Sequence, residues 1–313
     1  MMGDRAHSAP SASSHASDSA AARITSRENR WLKKFRAALA GDLDEPNLAG
    51  IEGPHLVEEA QRSGIEIQAI LVCPSGEKHL ERLGLAGAGA GAPEKATGPR
   101  VLRTSDRLFA ATAGTETPQG IAALVRLPEY HFEDLVGGVP LVVVLVGVQD
   151  PGNVGTIVRS AEAFGATGLV AAAASASPYG PKAMRASAGS VFRLPILVRT
   201  QPPVLLAQLR MAGVRLVATA VTEGAAGRRA TSLHRAELAG PVAVLIGGEA
   251  RGLPEDVLRS ADDLLRIRLA GPVESLNAAV AASVVLYEAA RQRSEEGRAG
   301  QPLSGSAPAP EAR

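Results

Sequence analysis

The sequence of 313 residues has little cysteine, few aromatic side chains, almost no net charge and no long apolar run. Its single cysteine, Cys73, excludes a disulfide bond within the chain and a cysteine cluster for a metal, so we expect a packed core thiol and no metal site. Aromatic residues make up only 3%, so small and aliphatic side chains must build the core. No run approaches the roughly 18 apolar residues of a membrane helix. We therefore expect a soluble, cytoplasmic protein with no membrane partner.

The near balance of charge limits how a nucleic acid could bind. With 33 basic and 32 acidic side chains, the formal net charge at pH 7 is +1, so such a surface must be a local patch. One patch is predicted in residues 23–36, which contain six basic side chains and one acid, Glu28. A solvated helix face explains such a run equally well. The candidate contacts to RNA in this run are Arg30, Lys33 and Lys34.

The same run has the pattern of an amphipathic helix. Thr25 and Glu28 have the spacing of a capping box, and Trp31, Phe35 and Leu39 follow at every fourth position. We therefore expect a helix that begins near Thr25 and carries Trp31, Phe35 and Leu39 on one face.

Composition and periodicity divide the chain into two domains between two tails. The polar, low-complexity residues 1–22 and 294–313 are predicted to be disordered. Residues 23–128 are predicted to form a small α/β domain, and residues 129–138 a linker. Residues 139–293 alternate strand and helix, which predicts a mostly parallel sheet with helices on its faces.

The stretch from residue 141 to residue 168 organises the second domain. Residues 141–146 are all apolar, which predicts a strand buried on both faces. A turn follows, and Asn153 is a plausible cap for a helix whose apolar positions begin at Val154 and which Gly165 ends. Arg159 lies off the apolar stripe of this helix, so it need not be buried.

Three strands of the second domain end in turns that contain glycine, namely those around Gly147, Gly247 and Gly271. Ligands of open parallel sheets bind beyond the carboxyl ends of the strands. The residues alone therefore predict a polar pocket at one sheet edge, beside a basic domain. The polar residues that follow these strands are Asn153, Arg159, Glu249, Ser275 and Asn277.

Four segments of the second domain carry a resemblance to a known family. NVGTIVRSAEAFGA, RASAGSVFRLPI, LIGGEARGLP and IRLAGPVESLNAAVAASVVLYEAARQR resemble the successive motifs of the SpoU (TrmH) family of RNA ribose 2′-O-methyltransferases, of the SPOUT class. The match covers most of residues 139–293 in the family's order and spacing. The first domain, with EGPHLVEEA and TPQGIAALV, resembles the family's substrate-binding domain more loosely.

The resemblance implies a fold, a cofactor and partners. It implies a SPOUT domain with a C-terminal trefoil knot, S-adenosyl-L-methionine as cofactor, and a homodimer through the catalytic domain. The partner is RNA rather than DNA, with ribosomal RNA of the 23S type favoured over transfer RNA. By motif position, the cofactor-binding residues are Gly247, Ile267, Leu269, Gly271 and Leu276.

The resemblance also assigns catalytic roles. The family's arginine falls on Arg159, its glutamate on Glu249, and its serine and asparagine on Ser275 and Asn277. The reaction is in-line attack of a ribose 2′-oxygen on a sulfonium methyl group. Because guanidinium groups stay protonated at physiological pH, we expect Arg159 to grip a phosphate and activate the hydroxyl electrostatically rather than act as a base. Glu249 would orient Arg159 or the RNA.

Further residues of the motifs are expected to contact RNA or a second subunit. Asn153 matches the asparagine of the first motif and is assigned to RNA, as is Arg185; Arg193 is expected to contact RNA or the dimer partner. The last helix, which carries Val280, Val284 and Tyr287, is too apolar for a solvated helix, so we expect it in a dimer interface.

Simpler interpretations of the site residues stay open at this stage. Arg159 could pair with Glu162 on the helix surface, Glu249 could lie in the first turn of a helix, and Ser275 could be a helix cap. A methyltransferase for transfer RNA, a catalytically silent RNA-binding or ribosome-assembly factor, and an unrelated enzyme acting on small molecules are the alternative functions.

Overall fold

The computed structural model describes five segments of the chain, which together contain both predicted domains. The segments are residues 23–42, 45–85, 98–220, 227–249 and 251–299. The predicted tail 1–22 and residues 300–313 lie outside them. The last helix runs to Ala299, so residues 294–299 are helical rather than part of a tail. No helix of these segments is long and apolar enough to cross a membrane.

The first domain is a four-stranded sheet with helices on both faces. Its strand order is β1-β4-β2-β3; β4 is antiparallel to both of its neighbours, and β2 and β3 are parallel. The strands are β1 (Leu48–Glu52), β2 (Glu66–Val72), β3 (Arg100–Arg103) and β4 (Ile121–Arg126). The helices are α1 (Arg30–Ala40), α2 (Pro54–Arg62), α3 (Glu77–Arg82) and α4 (Asp106–Ala110).

Helix α1 begins later than its capping-box spacing predicts. Asn29 Oδ1 accepts a hydrogen bond from the backbone N–H of Trp31 at 2.8 Å, so Asn29 is the cap and Thr25 lies outside the helix. Phe35 and Leu39 are buried, as the periodicity predicts. Trp31 is only half-buried, because the helix turns its ring to the rim of the core rather than into it.

The second domain confirms the predicted α/β class. Its seven strands are all parallel, in the order β7-β6-β5-β10-β8-β11-β9. The strands are β5 (Leu141–Val146), β6 (Gly168–Ala172), β7 (Ile196–Thr200), β8 (Arg215–Thr219), β9 (Thr231–Ser232), β10 (Val242–Gly247) and β11 (Asp263–Arg266). The helices are α5 (Phe132–Leu135), α6 (Pro151–Ala163), α7 (Pro181–Ser187), α8 (Pro202–Met211), α9 (Glu255–Ser260) and α10 (Ala278–Ala299).

The central strands β5 and β10 are paired so that they end together. Their register runs from Leu141 opposite Val242 to Val146 opposite Gly247. The turns that follow the two strands are therefore neighbours at the carboxyl edge of the sheet. Helix α6 leaves this edge with the predicted apolar stripe buried, but it begins at Pro151 and Asp150 caps it through the N–H of Gly152. The prediction of Asn153 as the cap is wrong.

Arg193 joins the two domains. Its guanidinium donates to Glu59 of α2 at 2.7 Å and to Glu162 of α6 at 2.5 and 3.0 Å. The hydrogen bond to Glu162 raises the pKa of Arg193. Burial is the largest single influence on the pKa of Glu162 and raises it, but the hydrogen bonds from Arg193 and Ser190 and the charge of Arg193 together outweigh burial, so that this pKa lies below its ordinary value. Arg193 is thus a contact between domains, and not the expected contact to RNA or to a second subunit.

The segment between the domains is also structured. The predicted linker, residues 129–138, contains the single turn of α5, and Leu135 of this turn is fully buried against the second sheet. One cluster of buried apolar residues extends from Ile51 and Val57 of the first domain to Val143 and Ile157 of the second. The two domains therefore meet through packed side chains as well as through Arg193.

We expect Arg193→Ala to lower the free energy of unfolding by about 1–2 kcal/mol, because two carboxylates lose their donor while solvent screens part of the effect. Since the pKa of Glu162 is lowered in the folded protein, the stabilisation is present above the unfolded value of about 4.3 and is lost as the pH falls through the folded value. Urea unfolding at pH 7 and near pH 4 measures both effects.

The matched control is Arg259→Ala, whose ion pair with Glu255 is 65% exposed on each side and should contribute less than about 0.5 kcal/mol. An Arg193→Ala effect no larger than that of this control, or one that does not shrink at low pH, would contradict the interpretation.

Candidate active site

A cavity opens at the carboxyl ends of β8, β10 and β11, in front of α10. This is the edge at which the sequence predicts a pocket. Of the predicted cofactor-binding and catalytic residues, those that line the cavity are Gly247, Glu249, Ile267, Leu269, Ser275, Leu276 and Asn277. The remaining two, Gly271 and Arg159, do not line it.

Other residues that line the cavity were not predicted from the sequence. Thr219 and Ala220 stand at the end of β8, where the rule of strand ends could have found them. Gly248, Gly252 and Glu274 belong to the same loops as predicted residues. The strand ends follow from the apolar runs, and the loop residues are direct sequence neighbours of motif residues, so the signal for both is present in the sequence.

The loop after β10 is packed so closely that only glycine fits. A Cβ atom on Gly248 would lie 2.1 Å from the carbonyl oxygen of Gly147, in the turn after β5. A Cβ atom on Gly247 would lie 2.3 Å from the carbonyl carbon of Gly252. The N–H of Gly252 donates to the carbonyl of Gly248 at 2.9 Å, which closes the loop on itself. The cavity wall here is therefore backbone, held against the neighbouring turn.

Three polar side chains form a continuous hydrogen-bonded chain beside the cavity. Asn277 Nδ2 donates to Asn153 Oδ1 at 3.0 Å, and Asn153 Nδ2 donates to Glu249 Oε1. Asn277 Oδ1 accepts from the backbone N–H groups of Ala279 at 2.9 Å and Val280 at 3.3 Å. We call the set Asn277, Asn153 and Glu249 the amide relay. It ties α6, α10 and the loop after β10 to one another.

The relay settles several interpretations that the residues alone left open. Asn277, and not Ser275, caps α10 through its side chain. Glu249 precedes α9, which begins at Glu255, so it does not lie in the first turn of that helix. Its carboxylate accepts from Asn153 rather than orienting Arg159 within the same chain. Because Asn277 Oδ1 is committed to the helix, its amide N–H groups must face Asn153.

Arg159 stands on the exposed face of α6 and makes no hydrogen bond or ion pair with the described residues. Glu162, which was considered as its ion-pair partner on the helix surface, forms an ion pair with Arg193 instead. Thr156, one turn earlier, borders an apolar groove with Val280 and Val284 of α10. Arg159 lies one turn of α6 beyond Thr156 and is exposed, but it does not line this groove.

The predicted RNA contacts of the first domain are partly committed to ion pairs. Lys33 and Lys34 bind neighbouring glutamates at 2.6 and 2.8 Å. Arg30 and Arg185 are exposed and make no ion pair with any residue that the structure describes.

Two findings concern the cysteine and possible metal ligands of the described residues. Cys73 is buried, as expected of a packed core thiol, and burial raises its pKa. Within residues 23–42, 45–85, 98–220, 227–249 and 251–299, no three side chains of histidine, cysteine, aspartate or glutamate are grouped as a metal would need.

We expect Asn277→Ala to lower the free energy of unfolding by about 1–2 kcal/mol, because α10 loses its cap and Asn153 loses its donor. Asn277→Asp should retain most of that stability, since a carboxylate caps the helix, although it cannot donate to Asn153. Chemical denaturation measures the difference, with Ser275→Ala as a neutral control. Equal losses for Asn277→Ala and Ser275→Ala would refute the capping role.

Comparisons with known proteins agree with this geometry. Residues 140–287 match the SpoU rRNA Methylase family, and residues 44–123 match the MRM3-like substrate binding domain. The 23S rRNA (guanosine(2553)-2′-O)-methyltransferase RlmP of Bacillus subtilis is 33% identical over 265 residues, which cover 84% of this chain and 97% of that protein.

Solved structures match over the same extent. An AdoMet-bound rRNA methyltransferase from Sinorhizobium meliloti aligns with a TM-score of 0.70 and 30% identity, covering 86% of this chain and 97% of its own. The SpoU methyltransferase AviRb from Streptomyces viridochromogenes, in complex with AdoMet, aligns with a TM-score of 0.70 and 26% identity, covering 85% of this chain and all of its own. The chain thus belongs to the SpoU rRNA methylase family.

Proposed function

We propose that this protein transfers a methyl group from S-adenosylmethionine to a ribose 2′-hydroxyl of 23S-type ribosomal RNA. The observation that carries the proposal is the cavity at the strand ends, which brings together seven residues of the family motifs next to the amide relay. The names of the relatives supply the substrate class, since RlmP acts on 23S rRNA and the MRM3-like domain is a substrate-binding domain. The same proposal places the enzyme in the cytoplasm.

The cavity has the chemistry that S-adenosylmethionine requires. The side chains of Ile267, Leu269 and Leu276 provide apolar surface for an adenine ring, and the loop at Gly247 presents backbone donors and acceptors to its edge. The carboxylates of Glu249 and Glu274 lie at the exposed rim, where negative charge favours a sulfonium cation. Gly271 does not line the cavity, and its assignment to the cofactor stays a prediction.

Different residues of the chain have different roles in methyl transfer. When bound, the cofactor supplies a methyl group on a positively charged sulfur, and the carbon–sulfur electron pair stays with the sulfur as the 2′-oxygen bonds to carbon. Arg159 binds the phosphate next to that ribose and stabilises the oxyanion that forms as the hydroxyl proton leaves to water. Asn153 and Asn277 hold Glu249 in place, and Ser275 positions the entrance of the cavity. This orientation is the main contribution of the protein.

We also propose a homodimer through the catalytic domain. Val280, Val284 and Tyr287 lie on one face of α10 and are 49%, 36% and 58% exposed, although the opposite face of the helix is buried in the core. A second copy of this chain would cover them, and it could bring its Arg159 to the first copy's cavity, since Arg159 is exposed and makes no ion pair with the described residues of its own chain. The trefoil knot implied by the family stays a prediction.

Val284→Glu is expected to convert dimers to monomers, because it places a charge in an apolar interface without touching the monomer's core. Light scattering coupled to size-exclusion chromatography would show the mass halved. Met211→Glu, on α8 and 89% exposed, is the matched control and should leave the mass unchanged. A wild-type protein that is already monomeric would disprove the dimer.

Arg159→Ala is expected to reduce methyl transfer by a factor of about 10² or more, because the forming oxyanion and the neighbouring phosphate lose their cation, with folding and cofactor binding retained because Arg159 does not line the cavity. Transfer of labelled methyl groups to unmodified 23S rRNA measures activity, and calorimetry measures binding of S-adenosylmethionine. Near-wild-type turnover would overturn the mechanism.

The same assay separates the alternative functions. Tight RNA binding without transfer by the wild-type chain would favour the silent assembly factor. Preferred transfer to transfer RNA would replace the proposed substrate. Membership of the SpoU family excludes an unrelated small-molecule enzyme, and failure to bind RNA at about 0.15 M salt would contradict the proposed substrate.

A further inference from the structure

The only tryptophan of the chain is surrounded by cations. Trp31 is half-buried at the start of α1. The guanidinium carbon of Arg100 stands 5.5 Å from the centre of its ring, that of Arg30 stands 6.0 Å from it, and Lys34 Nζ also stands 6.0 Å from it. We call these four residues the Trp31 platform.

Part of the tryptophan ring stays uncovered. The core under α1 is filled by Leu32 and Phe35, both fully buried, whereas Trp31 packs against that core from its rim and is only half-buried. Arg30 and Arg100 are exposed and have no ion pair among the described residues, and Lys34 is the one cation of the platform that binds a carboxylate. An aromatic ring next to cations that form no ion pair suits a ligand that is both flat and negatively charged.

We propose that the Trp31 platform binds an unpaired nucleobase of the RNA, with Arg30 and Arg100 contacting the phosphates on either side. Unstacked bases in RNA loops stack on aromatic rings and on guanidinium planes, and both surfaces meet here. The inference deepens the proposed function, on which it rests: it names single-stranded RNA, rather than a duplex, as the part of the substrate that the first domain holds.

The arrangement of the platform favours a strand over a duplex. Arg30 comes from α1 and Arg100 from the first residue of the edge strand β3, so the two cations approach the ring from different elements. A single RNA strand that stacks one base on the ring of Trp31 would bring the phosphates on either side of that base close to Arg30 and Arg100. In a duplex, the base faces are stacked on one another and cannot reach an aromatic ring.

Because the chain has one tryptophan, tryptophan emission excited at wavelengths that its three tyrosines do not absorb reports on the platform alone. We expect an oligouridylate of about ten nucleotides to quench this emission at saturating concentration and low salt, whereas an RNA duplex of equal charge and poly-glutamate should not. Equal quenching by the duplex or by poly-glutamate would overturn base stacking in favour of a purely electrostatic patch. Binding of the oligouridylate without any change in emission would place the RNA elsewhere.

Two variants test the platform with a labelled oligouridylate and anisotropy. Trp31→Leu keeps apolar volume but removes the ring face, and should weaken binding by about 5- to 150-fold, with an unchanged salt dependence. Arg100→Gln, at an exposed position that cannot impair folding through the core, should lower the slope of log K against log salt by about 0.7. The control Arg62→Gln, on the exposed surface of α2, should change neither quantity. Variants that bind like the control would refute the proposal.

Methyl transfer to unmodified 23S rRNA separates this inference from the proposed function. For a positioning role, Trp31→Leu should raise the KM for RNA with a smaller change in kcat and none in the affinity for S-adenosylmethionine. If the wild-type chain transfers no methyl group but the oligouridylate still quenches Trp31, the platform stands and the enzyme assignment fails. If transfer proceeds with the same KM in Trp31→Leu, the platform fails and the enzyme assignment stands.

Discussion

The parallel pairing of β5 with β10 is the constraint on which the site depends. Because the two strands are in register and end together, the turn at Gly147 and the loop at Gly248 are forced into contact that leaves no room for a Cβ atom. That contact sets α6 and the loop after β10 side by side, so that Asn153 can reach Glu249. If the register shifted by one residue, Asn153 and Glu249 would move apart, and the backbone wall of the cavity would open as well.

The relay extends the same constraint to the last helix. Asn277 uses its carbonyl oxygen to cap α10 and its amide group to hold Asn153, so the start of the helix and the polar edge of the cavity form together. At the other side of the molecule, Arg193 and the shared apolar cluster hold the first domain against the second. The surface around Trp31 therefore has a defined position relative to the cavity, which suits a substrate large enough to touch both.

Much of the fold was readable from local pattern. The apolar run 141–146 is β5 at the predicted bounds, and the stripe of α6 is buried as its period requires. Helix starts were less predictable, because several polar residues compete to cap each one. Asn29, Asp150 and Asn277 cap their helices in place of Thr25, Asn153 and Ser275, and the choice depends on which side chain the surrounding packing leaves in reach.

By itself, the sequence determined the α/β class, because strand and helix periods are local properties of the chain. Its resemblance to the family motifs supplied the seven predicted residues that line the cavity. Only the tertiary structure decided which of these side chains meet. In it, Glu249 accepts a hydrogen bond from Asn153, Glu162 and Glu59 form ion pairs with Arg193, and Arg159 is exposed. Contacts between residues a hundred positions apart depend on strand order and register, and no local pattern records either.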